Sequence, residues 1–139
     1  MLHDIRNRDD ISALVSAFYT SAFKEEVLGP IFVDIVKMDL DAHMPIMCDF
    51  WETVLFQAGL YRRNAFQVHV DIHRMVPLTQ MHFQRWLDLW NDTVDSMFAG
   101  EKATMAKVQA ARIGGSIQRR LARNVDAELF QLSRQHPTA

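Results

Sequence analysis

Residues 77–100, PLTQMHFQRWLDLWNDTVDSMFAG, decide the fold. Phe83, Trp86, Leu87, Trp90, Val94, Met97 and Phe98 recur every three or four positions, the spacing that lines one face of a helix. Thr79 is placed to cap this helix and Gly100 to close it. A strand requires alternation of apolar and polar positions, and none of any length occurs here or elsewhere in the chain.

The same spacing recurs outward from this segment. A first helix, capped by Asp9 or Asp10, carries Ile11, Leu14, Val15, Phe18, Tyr19, Ala22 and Phe23 and ends before Gly29-Pro30. A short helix over 31–36 follows. Asp39 or Asp41 opens a long helix with the stripe Met44, Met47, Trp51, Leu55 and Ala58, stopped by Gly59; Pro45 is tolerated near its first turn. Residues 59–66 read as a loop, and a shorter helix over 66–75 is ended by Pro77. The last helix starts near Glu101 and buries small residues (Ala103, Ala106, Ala110, Ile113/Gly114, Ile117, Leu121), which let a neighbour approach closely. The expectation is an all-α single domain over 1–132, with 133–139 as a flexible tail.

At 139 residues the chain is long enough to bury a real core, and 49% apolar against 23% charged residues is ordinary for a globular protein. Nine Phe and eight Met are rich for this length. Flat rings and pliable thioethers suit an oily helical core, and they also suit a planar ligand. A net charge of −2 gives no general drive towards nucleic acid or anionic membranes. From 101 onward seven Lys/Arg face three acids, spread around the helix as a solvated face would be. Cys48 is the lone cysteine, which excludes an internal disulfide or thiolate cage and suits a reducing cytoplasm. The polar start and the absence of a long apolar run show no signal peptide or membrane span.

Three of the six histidines lie within 69–87, and His69 and His73, four apart, share a helical face. A zincin needs Glu directly after the first His, and here that residue is Val70. A closed zinc site needs more ligands than His43 and His82 promise. Carboxylate-bridged di-iron bundles need Glu-x-x-His, and none of Glu25, Glu26, Glu52, Glu101 or Glu128 has it. Taken singly the histidines read as surface or structural groups, His82 among them. Tyr19 and Trp86 are more telling, since both fall on buried faces with polar hydrogens that need partners. They donate either to backbone carbonyls or to one polar ligand inside an apolar pocket. On these residues alone, a cofactor-free helical interaction module leads, with a non-haem metalloprotein using His69/His73 behind it.

The segments DISALVSAFYTSAFKEEVLGPIF (10–32), HMPIMCDFWETVLF (43–56), YRRNAFQVH (61–69) and PLTQMHFQRWLDLWNDTVDSMFAG (77–100) resemble, in this order, the group III truncated haemoglobins. The resemblance covers roughly 10–122. It implies a shortened globin fold, a 2-over-2 helical sandwich of helices B, C, E, F, G and H, around haem b (iron protoporphyrin IX). It implies His69 as the proximal iron ligand, with Tyr19, Trp86 and His43 in the distal pocket where ligand binds. Phe32, Met47, Phe50, Trp51 and Phe66 are the implied haem-packing side chains. His73, Tyr61, Arg62 and Arg74 are implied near the propionates. Members often read Gly-Asn-Pro before the F helix, where this chain reads Arg63-Asn64-Ala65. Gly114-Gly115 lies within the last helix and is unrelated to the Gly-Gly motifs of other truncated groups. The implied activity is binding of O2, NO or another diatomic, extending to NO dioxygenase or peroxidase-like chemistry with a separate reductase. The implied protein is cytoplasmic, a monomer or weak homodimer, and contacts neither nucleic acid nor membrane.

Overall fold

The computed structural model describes residues 1–61 and 63–135, with side chains described as far as residue 123; Arg62 lies outside the described residues. Helix α1 (Arg8–Lys24) starts at Asn7, whose side-chain oxygen accepts the Asp10 N–H at 3.0 Å. The cap is therefore two or three residues earlier than the sequence suggested, and Asp9 and Asp10 instead sit in the first turn, where carboxylates favour the helix dipole. The helix buries Ile11, Leu14, Val15, Phe18, Tyr19 and Ala22, the full apolar stripe but for the half-buried Phe23.

Helix α2 (Leu28–Pro30) runs on into a π-helical turn (Ile31–Ile35), in which Val36 N–H reaches the Ile31 carbonyl five residues back. Such wide turns are rare and concentrate at functional sites. Asp39 caps α3 (Leu40–Phe56), as its position suggested, accepting the Ala42 N–H. Pro45 falls in the second turn rather than the first, and the Asp41 carbonyl it leaves unpaired belongs to an exposed residue. The helix stops at Gln57, left-handed at φ 55°, before Gly59 is reached, so Ala58 is outside it. Asn64 caps α4 (Ala65–Met75) through the Gln67 N–H. Thr79 opens α5 (Gln80–Met97), and α6 (Glu101–Gln135) completes the order, running through 133–135.

Helix α1 packs on α3 and α5 on α6, and the two pairs cross through α1 on α5 and α3 on α6. This is a two-over-two helical sandwich. The main core gathers the stripes of α1, α3, α5 and the start of α6 around the stacked pair Trp51 and Trp90, whose rings lie 4.5 Å apart at 15°. Trp90 also donates its indole N–H to the Ala106 carbonyl at 3.2 Å. Ala103, Ala106 and Ala110 are almost fully buried, so the small residues of α6 do bring α5 close. Arg8 of α1 ties to Asp49 of α3 at 2.7 Å.

Two features escaped the sequence. The segment before α1 folds back on the start of α6, where the Asp4 carboxylate accepts the N–H groups of Lys102 and Ala103, each at 2.8 Å. Gly100 permits this, since at φ 144° a Cβ there would lie 2.5 Å from the Asp4 carboxyl carbon. Helix α4, for its part, does not join the main core. It is held to α6 by a second small cluster of Val70, Ile117 and Leu121, flanked by Phe66, Leu78, Phe83 and Ile113.

Candidate functional site

Between the two clusters lies a cavity of about 540 Å³, inside the range in which small molecules are buried, roughly 300–1,000 Å³. Every helix described above, with the turn after α2, contributes to its wall. Of the residues singled out in the sequence, Tyr19, Phe32, His43, Met47, Phe50, Trp51, Tyr61, His69 and Trp86 all line it.

His69 is placed by α4. Its Nδ1 is 2.7 Å from the Ala65 carbonyl one turn back. A carbonyl only accepts, so Nδ1 carries a proton, and in the neutral ring the lone pair is then on Nε2, the tautomer of a histidine that binds a metal. The side chain is half-buried, on the cavity wall.

Tyr19 and His43 come from α1 and α3. Tyr19 is 7% exposed, and its hydroxyl shares a hydrogen bond of 3.2 Å with His43 Nε2. Burial pushes the phenol far above its ordinary pKa, so it stays a neutral O–H. Burial, and then the Arg63 charge, push the His43 imidazole below its ordinary value, so it is neutral at pH 7. The Tyr19 ring packs edge-on against Phe18 and Phe32.

Trp86 is half-buried on α5, edge-on to Phe18, and it lines the cavity. Among the described residues its indole N–H has no hydrogen-bond partner. The backbone-carbonyl alternative is realised by Trp90, one turn further along α5. The wall beside Trp86 is Gly114 of α6, where an added Cβ would come within 3.3 Å of the indole ring. Glycine at this position lets the indole sit flush on the helix.

The structure does not bring every candidate to the cavity. His73 accepts the Leu78 N–H at its Nδ1, 2.9 Å away, and so closes the chain after α4 instead of joining His69. Among the described residues no three His, Cys, Asp or Glu side chains are gathered as a metal would need. Phe66 faces a neighbouring cleft rather than the cavity. Tyr61 packs edge-on to Phe50 at 5.0 Å, and burial raises its phenol. Cys48 is buried and its thiol is pushed up by burial, the behaviour of a small apolar residue.

Sequence reasoning missed His82, Arg63, Ile72 and Phe83 in the lining. His82 is half-buried, not a surface group: its Nδ1 accepts the Thr79 N–H at 2.9 Å, a capping box with imidazole in place of a carboxylate. Thr79-x-x-His82 carries that spacing, and His82 and Trp86 are one turn apart on the same face.

The helices and the cavity they enclose have the arrangement of a globin fold. No family model matches the chain. Among curated proteins the chain is similar to the Group 3 truncated hemoglobin ctb of Campylobacter jejuni, 25% identical over 118 residues, covering 83% of this chain and 91% of that protein. Among solved structures it is similar to the group III truncated hemoglobin from Campylobacter jejuni, with a TM-score of 0.76 and 26% identity, covering 87% of this chain and 95% of that one. The chain thus resembles group III truncated haemoglobins in sequence and in fold alike. Among the described residues, no helix is long and apolar enough to cross a membrane.

Proposed function

We propose that this protein is a haem-binding globin that reversibly binds O2 or another diatomic ligand in the cavity between α1, α3, α4 and α5. The observation that carries the reading is one apolar cavity walled by both a histidine with a free Nε2 and an indole N–H with no partner among the described residues. The residues fit the group. His69 would hold the iron, and Phe32, Met47, Phe50, Trp51 and Tyr61 would pack the ring of haem b. Bound haem supplies an iron with one open coordination position, at which a diatomic gains partial negative charge.

The chain's own part is to stabilise that charge. The Tyr19 O–H and Trp86 N–H are neutral donors on the wall of an apolar pocket, where such bonds are strengthened. Each is worth on the order of 1–3 kcal/mol, so losing one raises the ligand off-rate about ten- to hundredfold. Two donors favour slow release, which suits redox chemistry on O2, NO or peroxide more than delivery. That chemistry requires a separate reductase. A cytoplasmic location accords with a lone, unpaired cysteine, and the reading takes the protein as a monomer or weak homodimer.

A visible spectrum of the purified protein tests the reading. An intense Soret band is expected, and His69→Ala should lose the five-coordinate ferrous spectrum or the haem itself. His73→Ala should keep both. A colourless protein, or spectra that depend on His73 instead, overturns the assignment.

A further inference from the structure

A second, more open cleft adjoins the cavity and shares Tyr61, Arg63, Ala65, Ile113 and Ile117 with it. Its character is different. Arg112, Ser116 and Arg120 follow at four-residue spacing along α6, and Arg63 faces them from the loop before α4. Read along the sequence, Arg112 and Arg120 belong to a solvated face and Arg63 to a loop. The fold gathers them instead on one opening.

Two observations mark the cleft as more than exposed charge. Its lining contains no Asp or Glu, and none of the three guanidinium groups has an acidic partner among the described residues. Arg8 and Arg85, by contrast, are each paired with a carboxylate. Second, Arg120 is braced: its guanidinium lies 3.9 Å over the centre of the Phe66 ring. That stacking orients the planar fork while leaving its edge N–H groups free. The Arg63 charge also reaches into the main cavity, where it acts on His43 and Tyr61.

We propose that this cleft is a carboxylate-binding site in which Arg63, Arg112 and Arg120 take the acid groups of a ligand and Ser116 supplies a further donor. Guanidinium forks match carboxylates in a bidentate fashion. A ligand spanning both spaces has a flat apolar body in the cavity and acid groups at its rim, and the acid side chains of a porphyrin meet that description. This source rests on the haem reading. The other source is a free polycarboxylate held in the cleft beside the cavity.

Two measurements separate the sources. The first is the rate at which the haem-loaded protein surrenders haem to excess apomyoglobin, for the native chain and for an R63Q/R112Q/R120Q variant. If the porphyrin acids occupy the cleft, the variant releases haem about ten- to hundredfold faster. Protein loaded with the dimethyl ester of haem, whose acids are masked, then shows no difference between the two chains. The second measurement is equilibrium dialysis of citrate against the same proteins. If the source is a free acid, the native chain binds citrate, the variant does not, and haem loss is equal. Equal haem loss together with no citrate binding overturns the proposal. A chain without a Soret band overturns the haem reading alone, and its citrate binding then decides the cleft. Circular dichroism of the variant, whose three changes are all on exposed positions, confirms its fold.

Discussion

The Tyr19 hydroxyl is hydrogen-bonded to Nε2 of His43 at 3.2 Å, joining the first and third helices across the cavity roof. The two side chains meet inside the pocket, so the phenol is steered before any ligand arrives. Trp86 lines the same space, and its N–H has no partner among the described residues. Pre-positioned donors of this kind spend no reorganisation when charge develops on a ligand.

Tyr19→Phe and Trp86→Phe should each speed O2 dissociation from the ferrous protein by about ten- to hundredfold, read by stopped-flow mixing. Trp90→Phe is the control. Its N–H serves the Ala106 carbonyl, so that variant should lose stability, on the order of 1–3 kcal/mol, with the O2 off-rate unchanged.

His43 gives a pH dependence whose sign is fixed by its depressed pKa. Burial, helped by Arg63, makes the folded protein bind this proton less readily than the unfolded chain. Between the folded value and the ordinary ~6.5 the unfolded state holds more protons, so stability declines as pH falls through that window and levels off below it. Melting temperatures at pH 7.5 and 5.5 should differ less for His43→Leu than for the native chain.

Asp4 should act as the missing cap of α6. Burial alone would raise its carboxyl, but the N–H groups of Lys102, Ala103 and Ile5, with the Lys102 charge, outweigh burial and hold it below the usual carboxylate range. Asp4→Ala should cost about 1 kcal/mol at pH 7 in chemical denaturation. The contribution is fully present above the ordinary carboxylate value and disappears as pH falls through the lowered one. The difference between native and variant should therefore vanish in strong acid.

Gly114→Ala tests the close approach of α6 to the indole. The methyl group meets the ring at 3.3 Å, and the indole has a cavity to yield into. Stability should be unchanged or improved by up to about 1 kcal/mol, from the better helix propensity of alanine. The shifted Trp86 should raise the O2 off-rate. An unchanged off-rate would show that the donor tolerates displacement.

What was legible in the sequence follows from period. The stripes of α1, α5 and α6 were readable because burial on a helix repeats every three or four residues, and Ile11 to Ala22 or Ala103 to Leu121 do so without interruption. The cavity lining on those helices came with them, Tyr19 and Trp86 included. The less legible features depend on contacts between segments distant in sequence. Nothing near Asp4 announces that its carboxylate will meet Lys102 almost a hundred residues on. Asn7 and Asp9 are equally good caps in isolation, and the folded chain uses Asn7. The fate of His73 is decided by Leu78, whose free N–H follows from Pro77 ending the helix. Arg63, Arg112 and Arg120 look dispersed because their meeting is made by α4 docking on α6.

That docking has a consequence for the life of the molecule. One small apolar cluster joins α4 to the rest, and the space behind it is walled by rings and aliphatic chains with no core of their own to close upon. Whatever fills the space acts as a wedge that both layers grip, and by mass action each tenfold gain in its free concentration above Kd adds about 1.4 kcal/mol to resistance against unfolding. Chains made when the filler is scarce should fray first at α4, exchange its amide hydrogens soonest and meet proteases earliest. Abundance of this protein in a cell would then track the supply of its guest.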